Sequence, residues 1–281
     1  VWLQREFDDM AKPIIALIYD FDKTLCTKNM QEYEFIPDKM GMAPGDFWAA
    51  AGKLAADNKM DGILAYMYLM VEMARDKKVR VSRQDFVRLG ENMEFYPGVG
   101  QWFGKINNFG SWAGVVVEHY IISSGLKEII EGCSIFGHFS EVFASEFLYD
   151  EYDRPSWPKN AVNYTTKTQF LFRISKNVLD LSHDDGVNEH VPENARRISF
   201  ANMIYIGDGL TDVPCMRLVK KEGGHSIAVY EERRQVEHLL RDERVNYILP
   251  ADYGEDWPLY KRVCDIIGTR AEIERLKGER I

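Results

Sequence analysis

The chain is poor in cysteine, has no long apolar run and carries no excess of positive charge. Its four cysteines, Cys26, Cys133, Cys215 and Cys264, stand far apart, and no CxxC pair occurs. That spacing indicates neither a structural zinc site nor a redox dithiol. The four read as reduced, mostly buried thiols of a cytoplasmic protein. No apolar stretch approaches the roughly 20 residues that span a bilayer, so no membrane partner is expected. The opening segment, VWLQREFDDMAKP, has no signal-peptide pattern. A net charge of −9 argues against a nucleic-acid partner, because such proteins present a basic face. Internal repeats and low-complexity tracts are also missing.

What is present is a set of short apolar runs. IIALIY (14–19) is followed by VVVEHYII (115–122), NMIYI (202–206), SIAVY (226–230) and NYIL (246–249). Runs of this kind, with poor alternation, read as parallel strands covered on both faces. Helical patterns separate them. PGVGQWFGKINNF sets Val99, Trp102, Phe103 and Ile106 on one face, and TKTQFLFRISKNVLDL does the same with Phe170, Leu171, Ile174 and Val178. Strand and helix in alternation predict an α/β fold: a three-layer α/β/α Rossmann-like core around a mainly parallel sheet. The carboxyl-terminal DWPLYKRVCDIIGTRAEIERLKGERI reads as an amphipathic helix with Leu259, Val263, Ile266 and Ile267 inward.

Residues 28–95 break the rhythm. No strand is read there. GDFWAAAGKLAADNK and DGILAYMYLMVEMARD read as helices with Asp46 and Asp61 as N-caps. SRQDFVRLG opens on a Ser82/Asp85 capping box and stops at Gly90. An α-helical domain is therefore inserted after the first strand. Residues 143–158 read as a β-hairpin and the polar stretch 182–196 as a loop. His183, Asp184, Asp185 and His190 in that loop fit no standard metal-ligand spacing.

Ligands of parallel α/β sheets bind at the carboxyl ends of the strands. Three of the predicted strands end in polar residues. DFDKT supplies Asp20, Asp22 and Thr24; SSG supplies Ser123, Ser124 and Gly125; IGDGLTD supplies Asp208 and Asp212. Lys167 opens the helix between the second and third of these. Two like charges about 4 Å apart repel by roughly 4 kcal/mol at an effective dielectric near 20, so the carboxylates call for a cation. Mg²⁺ suits oxygen ligands and shares its shell with phosphate, and hydroxyl, ammonium and glycine-loop amides are donors for phosphate oxygens. Cys26 lies close to the aspartates, but no neighbouring residue reads as its base.

DFDKT, SSG, Lys167 and GDGLTD resemble the four ordered motifs of the haloacid dehalogenase superfamily. The insertion resembles its C1-type helical cap, and YPGV (96–99) its return into the core. The resemblance covers residues 14 to about 250 and points to the branch that resembles phosphoserine phosphatases. It implies a discontinuous catalytic core of residues 1–27 and 96–281 and a cap of residues 28–95. It further implies Asp20 as nucleophile, Asp22 as general acid/base, and Ser123, Ser124, Gly125 and Lys167 on the substrate phosphate. Mg²⁺ would be held by Asp20, Asp22 through its main-chain carbonyl, Asp208 and Asp212, and Thr24 would support the loop.

The expected activity is Mg²⁺-dependent hydrolysis of a small phosphorylated metabolite through an aspartyl-phosphate. Phosphotransfer to an acceptor other than water, or a silent phosphometabolite-binding regulator, are the alternatives. Trp48, Tyr66 and Tyr68 are candidate pocket residues. Where phosphoserine phosphatases carry a glutamate for the amino group, this chain has Asn29, with Glu32 and Glu34 close by.

Overall fold

The computed structural model describes residues 12–278. Residues 1–11, which hold most of the opening segment read above, and residues 279–281 lie outside the described residues. Among the described residues, one sheet contains β1 (Ile14–Tyr19), β2 (Val116–Leu126), β3 (Glu141–Tyr149), β4 (Pro155–Asn160), β5 (Met203–Gly207), β6 (His225–Tyr230) and β7 (Tyr247–Pro250). Their order is β4-β3-β2-β1-β5-β6-β7. Neighbours are parallel except in the β3–β4 hairpin. The helices are α1 (Pro44–Asn58), α2 (Gly62–Asp76), α3 (Arg83–Leu89), α4 (Val99–Trp112), α5 (Lys127–Glu131), α6 (Lys167–Lys176), α7 (Asp184–Asn188), α8 (Val213–Lys221), α9 (Glu237–Arg241) and α10 (Pro258–Gly278).

β1 shows why its sequence is apolar on both sides. Ile15, Leu17 and Tyr19 face one buried cluster, which also takes Val99, Trp102, Phe103 and Ile106 of α4 and Leu259, Val263, Ile266 and Ile267 of α10. Ala16 and Ile18 face the other, completed by Phe170, Leu171 and Ile174 of α6 and Met216 and Val219 of α8. Alternate side chains of one strand thus feed two cores, and the result is the three-layer α/β/α core.

Three local expectations need correction. Ala43, not Asp46, is the N-cap of α1; Pro44 opens that helix and Asp46 sits in its first turn, where its charge still favours the helix dipole. α6 stops at Lys176 because Asn177 adopts a left-handed conformation (φ 60°), which leaves Val178 beyond the helix. Residues 182–196 hold α7 and a 3₁₀ turn at Glu193–Ala195, where buried Arg173 gathers the carbonyl of Asp180 and the carboxylate of Asp184 at 2.8 Å each. The capping-box and Asp61 expectations agree with the structure.

The insertion joins the core through paired backbone segments: Thr27 N–H donates to Glu94 O at 3.0 Å and Tyr96 N–H to Leu25 O at 2.9 Å. α3 then packs on α5 with backbones almost touching. A Cβ on Gly132 would lie 1.7 Å from the Val87 carbonyl oxygen, and one on Gly90 2.1 Å from that of Ile129. Phe86 stacks on Phe147 beside them.

A buried polar chain ties α4 to β1 and β2. Trp102 Nε1–H donates to Tyr19 Oη at 2.8 Å, and Tyr19 O–H donates to His119 Nδ1 at 2.9 Å. His119 Nε2 in turn reaches Asn107 Oδ1 at 3.0 Å. An amide oxygen only accepts, so Nε2 carries the proton and the ring is neutral. Burial, with His138 nearby, pushes the imidazole down to about 3.

Two predictions follow from packing and from charge. Gly132→Ala should cost at least the ~1–3 kcal/mol of overpacking, read by urea denaturation, whereas Gly52→Ala in α1, with nothing near its Cβ, should be neutral or stabilising. The His119 ring is neutral when folded and takes up a proton near pH 6.5 when unfolded. Its stabilisation is therefore present above about pH 6.5 and is lost as pH falls toward 3. The acid slope of stability over that window should flatten in His119→Gln; an unchanged slope would remove His119 from the account.

Candidate active site

The register decides which residues of β1, β2 and β5 meet. Tyr19 pairs with Ile121 and with Ile206, and Asp20 N–H donates to Ile206 O at 2.9 Å. Asp20 follows β1 directly and comes level with Gly207, so Asp208, the next residue of its chain, lies close by. Carboxylate oxygens of Asp20, Asp208 and Asp212 lie within 4.8 Å of one another.

Lys167 neutralises part of that charge. Its Nζ lies 2.9 Å from Asp20 Oδ1 and 2.7 Å from Asp212 Oδ1, with no exposed surface. Burial alone would drive the proton off this lysine, but Asp20 and Asp212 outweigh it and raise the ammonium above its usual range. Tyr205 O–H also donates to Asp212 Oδ1, at 2.7 Å. Asp212 precedes α8 without capping it; its oxygen is spent on Lys167 and Tyr205 instead. Burial followed by the Asp212 charge raises Asp20 above the ordinary carboxylate range. Asp208 is raised by burial, then by Asp212 and Asp20.

Asp22 turns toward the insertion. Its Oδ1 accepts Met30 N–H at 2.9 Å and faces Cys26 Sγ at 3.7 Å. Removal from water and the Asp20 charge push its carboxyl up to about 8. Cys26 is buried and its thiol is pushed well up by burial and by Asp22, which makes it a poor nucleophile. On the β2 side, Ser123 Oγ accepts Gly125 N–H at 3.0 Å, tightening its own loop; it does not cap α5. Ser124 O accepts Tyr66 O–H from α2 at 2.7 Å. Thr24 is buried; its carbonyl accepts Tyr253 O–H at 2.8 Å, while its hydroxyl has no partner, so the loop is held there by backbone. A cavity of about 320 Å³ lined by Lys23, Tyr96, Asp208 and Glu231 opens beside the cluster.

The structure thus brings Asp20, Asp208, Asp212 and Lys167 together, with Asp22 on the insertion side and Ser123–Gly125 at the adjoining strand end. Tyr68 is half exposed, whereas Trp48 packs edge-on against Tyr66 and donates to Glu32 Oε1 at 2.7 Å. Asn29 also binds that glutamate. His183, Asp184 and Asp185 stay at the surface and join no such cluster among the described residues. Tyr205, Tyr253 and Met30 were not singled out from sequence. Each looks like ordinary core in an apolar run or a short loop, and only tertiary contact shows where its polar atom goes.

Three gathered carboxylates against one lysine leave net negative charge, and Asp212 Oδ2 is buried with no hydrogen-bond partner. An uncompensated buried oxygen costs free energy. A hard divalent cation such as Mg²⁺ fits that donor set.

An α/β protein with such a cluster at the carboxyl edge of a parallel sheet belongs to the class that does its chemistry at strand ends. Residues 17–217 match the haloacid dehalogenase-like hydrolase family, and the chain belongs to that family. It is similar to an uncharacterized protein of Borreliella burgdorferi, 28% identical over 283 residues, covering 90% of this chain and 96% of that one. Among solved structures it resembles a haloacid dehalogenase family hydrolase of Salmonella enterica serovar Typhi (TM-score 0.55, 18% identity, 86% of this chain and 69% of that). It also resembles a probable phosphoserine phosphatase of Vibrio cholerae (TM-score 0.56, 13% identity, 94% and 67%). At these identities the two structures speak for the fold. No helix among the described residues is long and apolar enough to cross a membrane.

Replacing Lys167 by Met should leave Asp20 and Asp212 buried without a counter-charge. Breaking such a pair costs about 3–5 kcal/mol. The loss should be largest near neutral pH and shrink on acidification, as Asp20 protonates; a pH-independent loss would point to packing instead.

Proposed function

We propose that this hydrolase is a Mg²⁺-dependent phosphatase acting on a small phosphorylated metabolite. The observation that carries the reading is Lys167 bridging Asp20 and Asp212 beside Asp208. An Asp20 oxygen attacks phosphorus and the P–O bond to the leaving group breaks. Asp22 supplies the proton that the leaving oxygen needs; its carboxyl near 8 keeps that proton at neutral pH. Asp22 then takes a proton from water, which attacks the aspartyl-phosphate, freeing phosphate and restoring Asp20. Lys167 and the Ser123–Gly125 loop hold the phosphoryl oxygens. Asp20, Asp208 and Asp212, with the main chain at Asp22, would hold Mg²⁺. The ion, when bound, supplies positive charge against the carboxylates and the phosphoryl group.

Residues 28–95 would serve as the cap over a core of 1–27 and 96–281. Support comes from the entry and return strands lying side by side at Thr27 and Glu94 and from Tyr66 reaching Ser124.

Asp20→Asn should abolish release of phosphate from para-nitrophenyl phosphate while the chain stays folded, because Lys167 keeps Asp212 as its counter-charge, and EDTA should abolish it in the wild type until Mg²⁺ is restored. Hydrolysis that persists in Asp20→Asn would sink the reading.

A further inference from the structure

Met30 sits where the insertion begins and touches both loops of the site. Its N–H is the backbone donor to Asp22 Oδ1, at 2.9 Å. Its Sδ accepts Leu126 N–H at 3.0 Å. A Cβ on Gly125 would lie 2.1 Å from Met30 Cε and 2.7 Å from its Sδ. The side chain has no exposed surface. One residue thus fixes the proposed acid through its backbone and the serine loop through its side chain, and Gly125 lacks a side chain because the methionine fills that space.

Resting on the phosphatase reading, we propose that Met30 is a positioning residue: its amide aims the Asp22 carboxyl, and its thioether, seated on Gly125, sets the distance between the acid loop and the Ser123–Gly125 loop. The two halves separate in substitution. Met30 is the first residue of a 3₁₀ turn and Asn29 before it is extended (φ −65°, ψ 136°). Proline fits such a place, because its ring favours a helical start and an extended predecessor. Met30→Pro therefore removes the N–H with little backbone cost, whereas Met30→Ala keeps it and removes only the thioether.

The test compares two probes. Para-nitrophenyl phosphate has a leaving group that needs little protonation, and β-glycerophosphate releases an alkoxide that needs a full proton from Asp22. General-acid assistance contributes about 10²–10⁴-fold, so misaiming the acid should be visible. Met30→Pro should lower kcat for β-glycerophosphate at least about tenfold more than for para-nitrophenyl phosphate, relative to Met30→Ala. Equal losses on both probes in the two variants would overturn the amide's role while leaving the phosphatase reading in place. For the thioether, Gly125→Ala should lower the melting temperature, and adding Met30→Ala should restore at least half of that loss. No recovery in the double variant would overturn the seat. A wild-type chain inert toward both phosphates would overturn the proposal together with the reading beneath it.

Discussion

The site depends on one buried ammonium. Lys167 lies between Asp20 and Asp212, closer than 3 Å to each. Without it, three carboxylates would share a pocket with little water to screen them, and at such distances their repulsion runs to several kcal/mol. With it, they are held together but not neutralised. The remaining negative charge suits a cation, and Asp212 Oδ2 lies buried there with no hydrogen-bond partner. Well-packed apolar side chains in place of such a cluster are often as stabilising or more so.

The sheet makes this cluster possible by bringing distant residues level. Asp20 and Asp208 are 188 positions apart by their numbers, yet the β1–β5 register, Tyr19 against Ile206, brings them within one residue of level. Lys167 arrives from the opposite layer at the start of α6. The inserted segment makes contacts of two kinds. Around Gly90 and Gly132 it is welded to the core by backbone contact. At Met30 and Tyr66 it reaches the loops of the site through buried side chains and hydrogen bonds.

Much of this was legible in the sequence, for a physical reason. An aspartate directly after a buried strand is costly unless it is used, so Asp20, Asp22 and Asp208 stand out against the apolar runs that precede them. Lys167 was harder, since a lysine between two threonines looks like a solvated surface residue until the fold buries it. Asp46 misled because an acidic residue near a helix start suits either the cap or the first turn, and Pro44 decided the matter. Met30, Tyr205 and Tyr253 were illegible as site residues. A tyrosine or a methionine in such a setting reads as packing, and what matters here is two hydroxyls, one amide and one sulfur; the partners of Tyr253 and of the sulfur, Thr24 and Leu126, lie far off in the chain.

The most direct measurement concerns Asp20. The chain would be incubated with Mg²⁺ and acetyl phosphate, quenched with borohydride and digested, and the peptide containing residues 14–27 examined by mass spectrometry. Borohydride converts an aspartyl-phosphate to homoserine. The account predicts that conversion at Asp20, dependent on both reagents and lost in Lys167→Met. Conversion at another residue, or none under conditions where the enzyme turns over, would contradict it.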